Sequence, residues 1–172
     1  PVFVKPAHEG STLGITKVRT AADLAPAVTF AATFDPLVIV EECVDGQELT
    51  ASLLGDAALP LVRIEAPGGN YDYQNKYFTD DTKYHCPAGV RPEVEAAIQR
   101  DALAAFRVLG CRGWGRADVM LRADGKYSFL EMNTSPGMTG HSLVPIAARA
   151  VGLTYPDLCL RILEDATTGG AP

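Results

Sequence analysis

Gly113-Trp114-Gly115-Arg116-Ala117-Asp118-Val119-Met120-Leu121 and Phe129-Leu130-Glu131-Met132-Asn133-Thr134-Ser135-Pro136-Gly137 decide the reading of this chain. Between them stands Asp124-Gly125, a strong signal for a two-residue hairpin loop. A turn centred on that pair sets Asp118 opposite Glu131 and Arg116 opposite Asn133. Residues two apart on a strand share a face. One face of one hairpin therefore presents two carboxylates, an amide oxygen and a guanidinium. Opposed carboxylates repel unless something neutralises them. Two ordinary acids on a solvated edge would need no partner. Here the apolar neighbours Val119, Met120, Leu121, Phe129 and Leu130 argue for buried strands, and buried acids are paired. A hard divalent cation such as Mg²⁺ meets that need, because it takes oxygen ligands while keeping waters and substrate phosphates. Arg116 is either the acids' salt-bridge partner or a stabiliser of a developing oxyanion.

The remaining composition narrows the setting. The 172 residues make one ordinary domain or two small lobes, and 47% hydrophobic with 21% charged content reads as globular. A net charge of −6 argues against nucleic acid as a partner. No apolar run reaches membrane-spanning length and no signal peptide is visible, so no membrane partner is expected. Cys43, Cys86, Cys111 and Cys159 lack CxxC spacing and read as inert thiols of a reducing cytoplasm. The chain opens on Pro1 with strand-like residues directly behind it, which points to a segment of a longer protein.

Working outward, Val2 to Val4 and Ile15 to Val18 read as short strands around the loop His8-Glu9-Gly10-Ser11-Thr12-Leu13-Gly14. Thr20 and Asp23 make a candidate capping box for a helix burying Leu24, Val28, Ala31 and Phe34, with Pro26 implying a kink or a later start. Leu37 to Glu41 is a buried strand, and Glu48 to Leu54 and Leu59 to Glu65 pair around Gly55-Asp56. Residues 67–84 form a long polar loop, the length of a lid. Arg91 to Leu109 is the clearest helix, with Pro92 in its first turn and Gly110 as its stop. His141 to Val151 and Pro156 to Ala166 are two further helices, and 167–172 is a frayed tail. Strands that meet by hairpins, with helices between them, predict an α+β fold of largely antiparallel sheets.

Other residues carry weaker signals. The glycine loop is either a plain turn or a backbone cradle for phosphate, and Lys5 at the preceding strand end could reach the same anion. Lys76, in Tyr71-Asp72-Tyr73-Gln74-Asn75-Lys76-Tyr77, is either a solvated lysine or a lid cation that lands on a terminal phosphate. Glu41, Glu42 and Glu48 are either a solvated face or a strand end that meets a base, with a later carboxylate on ribose. Ser142 sits at a helix start, where an N-cap and an anion site are compatible roles.

These segments resemble the C-terminal part of the D-alanine–D-alanine ligases, members of the ATP-grasp superfamily. The resemblance is carried by Val4-Lys5-Pro6 with Glu9-Gly10-Ser11, Tyr71-Asp72-Tyr73 with Lys76-Tyr77, Cys86-Pro87-Ala88-Gly89, the two hairpin segments, and His141-Ser142-Leu143-Val144-Pro145. It implies an ATP-grasp fold lacking the N-terminal domain and part of the first lobe. Residues 1–41 would be the remainder of the smaller lobe. Residues 42–172 would form the larger lobe, with a mobile loop at 67–84 and a metal-binding hairpin at 115–133. It implies ATP-dependent joining of two D-alanines through an acyl phosphate, giving D-alanyl-D-alanine, ADP and phosphate for cytoplasmic synthesis of peptidoglycan precursors. Relatives that use D-lactate as second substrate, and a nucleotide-binding module without catalysis, are the competing readings. Tyr77 favours the dipeptide enzyme.

By motif, the resemblance gives Asp118, Glu131 and Asn133 as ligands of two Mg²⁺ ions, with Mn²⁺ as an alternative. Lys5 and Lys76 match phosphate-binding lysines, Glu41 and Val44 lie where adenine is held, and Glu48 where ribose is held. Arg116 and the backbone of Gly137 match oxyanion stabilisers. Ser142 and Leu143 match the site for the second substrate's carboxylate, and Ser11 and Tyr77 match residues that close the loop over the first. The full-length enzyme would be a homodimer. Half of the amino-acid site would lie upstream of Pro1, so these 172 residues alone would not ligate.

Overall fold

The computed structural model describes residues 1–10, 12–65 and 82–166. Ser11, Lys76 and Tyr77, most of the loop expected over 67–84, and the tail at 167–172 lie outside the described residues. The chain divides into two compact units, the first comprising Pro1–Asp45 and the second Gly46–Glu65 with the residues from Lys83 onward. The cut falls beyond the 41/42 boundary expected from the sequence. The third strand runs to Glu42, and the Cys43 N–H donates to Pro1 O, which ties this stretch to the first unit.

In the first unit, β1 (Val2–Pro6) is the centre of a three-stranded antiparallel sheet, between β2 (Thr16–Val18) and β3 (Val38–Glu42). Helix α1 (Leu24–Ala31) covers one side of it. Val4, Val18, Ala27 and Ala31 form the buried core. Three expectations are corrected here. The strand read as buried over Leu37 to Glu41 leaves Leu37, Ile39 and Val40 exposed, because β3 ends the described sheet order. The helix buries Ala27 and Ala31, while Leu24, its first residue, is exposed, and so is Phe34, which lies beyond the helix end at Ala31. Thr20 and Asp23 are not a capping box. The Thr20 hydroxyl donates to the Asp23 carboxylate at 2.6 Å, a 3₁₀ turn fills Ala21–Asp23, and the α-helix starts after it with Pro26 in its first turn.

The second unit is built on an antiparallel sheet in the order β7 (Lys83–His85), β6 (Val62–Glu65), β4 (Gln47–Leu54), β8 (Trp114–Leu121), β9 (Tyr127–Asn133). The short β5 (Ala57–Ala58) pairs with β4 across the Gly55-Asp56 turn. Lys83 and Tyr84, expected in the loop, belong to β7. Helix α2 (Pro92–Val108) covers one face. Its Val94, Ile98, Ala102 and Phe106 interleave with Leu49, Ala51 and Leu53 of β4 and Ala117, Val119 and Leu121 of β8. The strand pairing of β5 and β6 is interrupted at Leu59–Leu61, and α2 satisfies the backbone there. Glu95 Oε1 accepts from Leu61 N at 3.0 Å and the Gln99 amide donates to Leu59 O at 2.9 Å. Tyr127 of β9 is also tied to α2, donating to the Asp101 carboxylate at 2.5 Å. That bond, ahead of Arg100, holds the Asp101 carboxyl below its ordinary range.

Helices α3 (Leu143–Ala150) and α4 (Tyr155–Glu164) pack on each other, and α3 lies along β4 and β6. A capping box opens α4, with the Thr154 hydroxyl accepting from Asp157 N and the Asp157 carboxylate from Thr154 N. Among the described residues no single helix is long and apolar enough to cross a membrane.

Gly46 immediately precedes β4, beside Leu121 at the end of β8. A Cβ there would lie 2.3 Å from Leu121 O and 2.8 Å from Leu121 C, both backbone atoms that cannot swing aside. Gly46→Ala is therefore expected to lower unfolding stability by about 3 kcal/mol, the upper end for an added methyl in a close-packed place. Urea denaturation of the protein with and without the substitution measures it.

Candidate active site

The hairpin of β8 and β9 places the residues that the sequence singled out. Asp118 stands opposite Glu131 and Arg116 opposite Asn133. The cause differs from the one expected. The loop is not the two residues Asp124-Gly125 but three, Ala123 to Gly125. Arg122 N bonds Lys126 O, and Gly125, at φ +86, closes a turn onto Arg122 O. That loop pairs Leu121 with Tyr127 and Val119 with Phe129. A β-bulge then leaves Leu130 unpaired, and the register moves by one residue. Tyr127 and Met132 both pack against the α2 core, while Glu131 and Asn133 share the other face with Asp118 and Arg116. An unbulged strand would give Tyr127 the same face as Glu131 and could not satisfy both.

The two carboxylates differ in setting. Asp118 is buried on β8, 8% exposed, whereas Glu131 is exposed on β9. The sequence expectation of two buried strands thus holds for β8 alone, because β9 ends the described sheet order and Phe129 and Leu130 face solvent. Arg116, also 8% exposed, grips Asp118 with two parallel bonds, Nε to Oδ1 and Nη2 to Oδ2, each 2.7 Å. Such forked charged pairs are the strong ones. The Asn133 amide donates to Asp118 Oδ2 and to Glu131 Oε1, both at 3.0 Å, and so links the two carboxylates. Gly115 precedes this cluster without a side chain, because a Cβ would lie 2.7 Å from the Phe106 ring of α2.

Strand β4 runs beside β8 with Ser52 opposite Arg116, Thr50 opposite Asp118 and Glu48 opposite Met120. Thr50 and Ser52 are fully buried, and among the described residues their hydroxyls find no hydrogen-bond partner. Beyond β9 the chain turns through Gly137 toward α3. Ser142 stands at the N-cap position of α3 but does not cap it. Its hydroxyl instead accepts from Thr139 N at 2.9 Å and meets the Thr139 hydroxyl at the same distance. Gly137 packs close by, with 3.1 Å between a would-be Cβ and Ser142 Oγ. The first-turn amides of α3, at buried Leu143 and Val144, thus have no side-chain cap.

In the first unit Lys5 Nζ and Glu41 Oε1 are 2.7 Å apart, so the lysine and acid expected at a nucleotide pair with each other. Lys5 opposes Ile39 and Glu41 opposes Phe3, which makes this a diagonal contact across β1 and β3. Val44 is half-buried in the stretch after β3. The base of the glycine loop is fixed by Asp35, whose carboxylate accepts from Leu37 N and His8 N and lies 2.6 Å from His8 Nδ1. The Leu37 bond, first among these, holds the Asp35 carboxyl below its ordinary range. Gly14, at φ +71, tucks against Pro6 and Phe34, where a Cβ would come within 2.8 Å of both side chains.

The family model described as D-ala D-ala ligase C-terminus matches residues 1–164. The chain belongs to the D-Ala–D-Ala ligase C-terminus family. It is 62% identical over 169 residues to the D-alanine–D-alanine ligase of Aromatoleum aromaticum, covering 98% of this chain and 55% of that protein. It is 60% identical to the D-alanine–D-alanine ligase of an Azoarcus species, covering 98% and 56%. Among solved structures, the VanG D-Ala:D-Ser ligase of Enterococcus faecalis superposes with a TM-score of 0.84 at 35% identity, covering 95% of this chain and 49% of that one. The D-alanine–D-alanine ligase of Bacillus anthracis gives 0.83 at 31%, covering 96% and 54%. The chain thus spans about half the length of the curated relatives it matches. Its fold is the α+β ATP-grasp fold of those ligases.

For this member of the D-Ala–D-Ala ligase C-terminus family, one face of the second unit gathers Arg116, Asp118, Glu131 and Asn133, flanked by Thr50 and Ser52 on β4. The two hydroxyl residues escaped the sequence reading. Their signal was present as the polar alternation Glu48, Thr50, Ser52, two residues apart along an otherwise apolar strand.

Proposed function

We propose that the protein to which this chain belongs joins two D-alanines at the expense of ATP, through an acyl phosphate, to give D-alanyl-D-alanine, ADP and phosphate. The observation that carries the reading is the face formed by Arg116, Asp118, Glu131 and Asn133. Identity of about 60% to two D-alanine–D-alanine ligases supports it. A carboxylate pair with an amide between them is an all-oxygen donor set once the amide turns Oδ1 inward. It suits Mg²⁺, with Mn²⁺ an alternative. When bound, Mg²⁺ neutralises phosphate charge and favours its transfer. Asp118, Glu131 and Asn133 would hold two such ions.

On the protein's side, Arg116 leaves Asp118 and turns its fork to the oxyanion that develops at the attacked carbonyl, with the Gly137 N–H as second donor. Lys5 and Lys76 bind ATP phosphates, Glu41 and Val44 the adenine, and Glu48 the ribose. Ser142 and Leu143, at the start of α3 where the first-turn amides lack a side-chain cap, receive the carboxylate of the second D-alanine. Ser11 and Tyr77 close over the first. A homodimer working in the cytoplasm on peptidoglycan precursors completes the reading.

The test is an assay of the full-length enzyme with ATP, Mg²⁺ and D-alanine, with D-lactate and D-serine in competition across pH. The expected result is D-alanyl-D-alanine with stoichiometric phosphate. Preferential capture of D-lactate or D-serine would assign the chain to a sibling activity, and nucleotide binding without product would leave only a binding module.

A further inference from the structure

Thr50 and Ser52 are fully buried, neither hydroxyl has a hydrogen-bond partner among the described residues, and both sit in register beside Arg116 and Asp118. Buried hydroxyls are nearly always satisfied, and each exception asks for a reason. Opposed residues on neighbouring antiparallel strands hold their Cβ atoms about 5 Å apart, within reach of a hydroxyl–carboxylate or hydroxyl–guanidinium bond. Asp118 has both oxygens on Arg116, with Oδ2 also taking Asn133. A cation drawing on Asp118, or an oxyanion drawing on Arg116, would break that fork and release buried donors and acceptors on β8. Two idle hydroxyls on β4 stand in register to receive them.

We propose that Thr50 and Ser52 are positioning residues that take up the hydrogen bonds released when Asp118 and Arg116 separate. This rests on the proposed Mg²⁺ and oxyanion roles of those two side chains. The Thr50 hydroxyl donates to Asp118 and fixes the carboxylate as a ligand. The Ser52 oxygen accepts from the Arg116 guanidinium and fixes its new direction. The hydroxyls are idle in the closed pair and employed in the open one, so they favour the open state. Without them the fork remains the better arrangement and Mg²⁺ must compete harder for Asp118.

The prediction separates stability from function. Thr50→Val keeps the shape and removes the hydroxyl, Thr50→Ser keeps the hydroxyl, and Ser52→Ala removes the second one. In the full-length protein without ligands, Thr50→Val and Ser52→Ala should melt no lower than the parent, and up to about 3 °C higher, because an unpaired buried hydroxyl has been removed. The Mg²⁺ concentration for half-maximal rate should rise about tenfold in Thr50→Val, the usual scale for a group that orients a metal ligand. The rise in melting temperature produced by Mg²⁺ with ADP should shrink in parallel. Thr50→Ser should restore both, and KM for D-alanine should stay unchanged in Thr50→Val. An unaltered Mg²⁺ response in Thr50→Val and Ser52→Ala overturns the proposal, as does a lower melting temperature without ligands. If the parent protein binds Mg²⁺ and ADP but makes no dipeptide, the functional reading fails while the melting series still decides this one.

Discussion

Glu131→Gln in the full-length protein is expected to cut ATP-dependent dipeptide synthesis by at least about a thousandfold at saturating Mg²⁺, the scale of several kcal/mol of charge stabilisation. Asp118→Asn should do the same. The two substitutions separate in stability, because the carboxylates are held differently. Glu131 is exposed and its one described bond is from the Asn133 amide, so its replacement should move unfolding free energy by no more than about 0.5 kcal/mol. Asp118 is buried under a forked guanidinium, and its neutralisation leaves Arg116 facing an amide, at a cost of about 1–3 kcal/mol. Rates over a Mg²⁺ series, with circular dichroism and urea denaturation on the same samples, measure both quantities. Near-normal turnover in Glu131→Gln would remove the metal assignment. Equal destabilisation by the two changes would mean that the exposed carboxylate carries a structural load the geometry does not give it.

The opposition of Asp118 to Glu131 was legible in the sequence, yet for an incomplete reason. Asp-Gly marks a hairpin but fits both a two-residue loop and the third position of a longer one, as at Gly125. The chain uses the longer loop and then restores the register with a bulge at Leu130. A bulge leaves no residue signature here, since Phe129-Leu130-Glu131 reads equally well as a plain strand. The same tripeptide suggested burial that β9 does not have, because apolar content cannot tell an edge strand from a central one. The helices were plainer: Pro92, the acids behind it and the 3.6-residue spacing mark α2 unaided. Where two polar residues could cap or could bond each other, as with Thr20 and Asp23, the sequence offered no means to choose. The Lys5–Glu41 pair depends on cross-strand register and was likewise hidden. The site's identity came from motif resemblance, and its wiring, with Arg116 clasping Asp118, came only from the structure.

That wiring makes a second large effect testable. Arg116→Met, in the full-length protein without ligands, removes the forked partner of a carboxylate that is 8% exposed. Breaking such a pair from one side costs about 3–5 kcal/mol, because the remaining charge stays buried and unmatched. Turnover should fall about a hundred- to a thousandfold, as when one oxyanion donor is lost. The decisive quantity is how the stability deficit responds to Mg²⁺. If guanidinium and cation serve the same carboxylate in turn, the cation supplies in the variant what Arg116 supplies in the parent. Mg²⁺ with ADP should then raise the melting temperature of Arg116→Met by more than that of the parent, and the gap between the two should narrow. A gap that stays constant with Mg²⁺ would mean that Arg116 and the cation do not compete for Asp118. Such a result, together with a large loss of turnover, would keep Arg116 at the oxyanion and dismiss its exchange with the metal. Exchange requires both effects in one variant, since the side chain that balances Asp118 is the one that must leave it for catalysis.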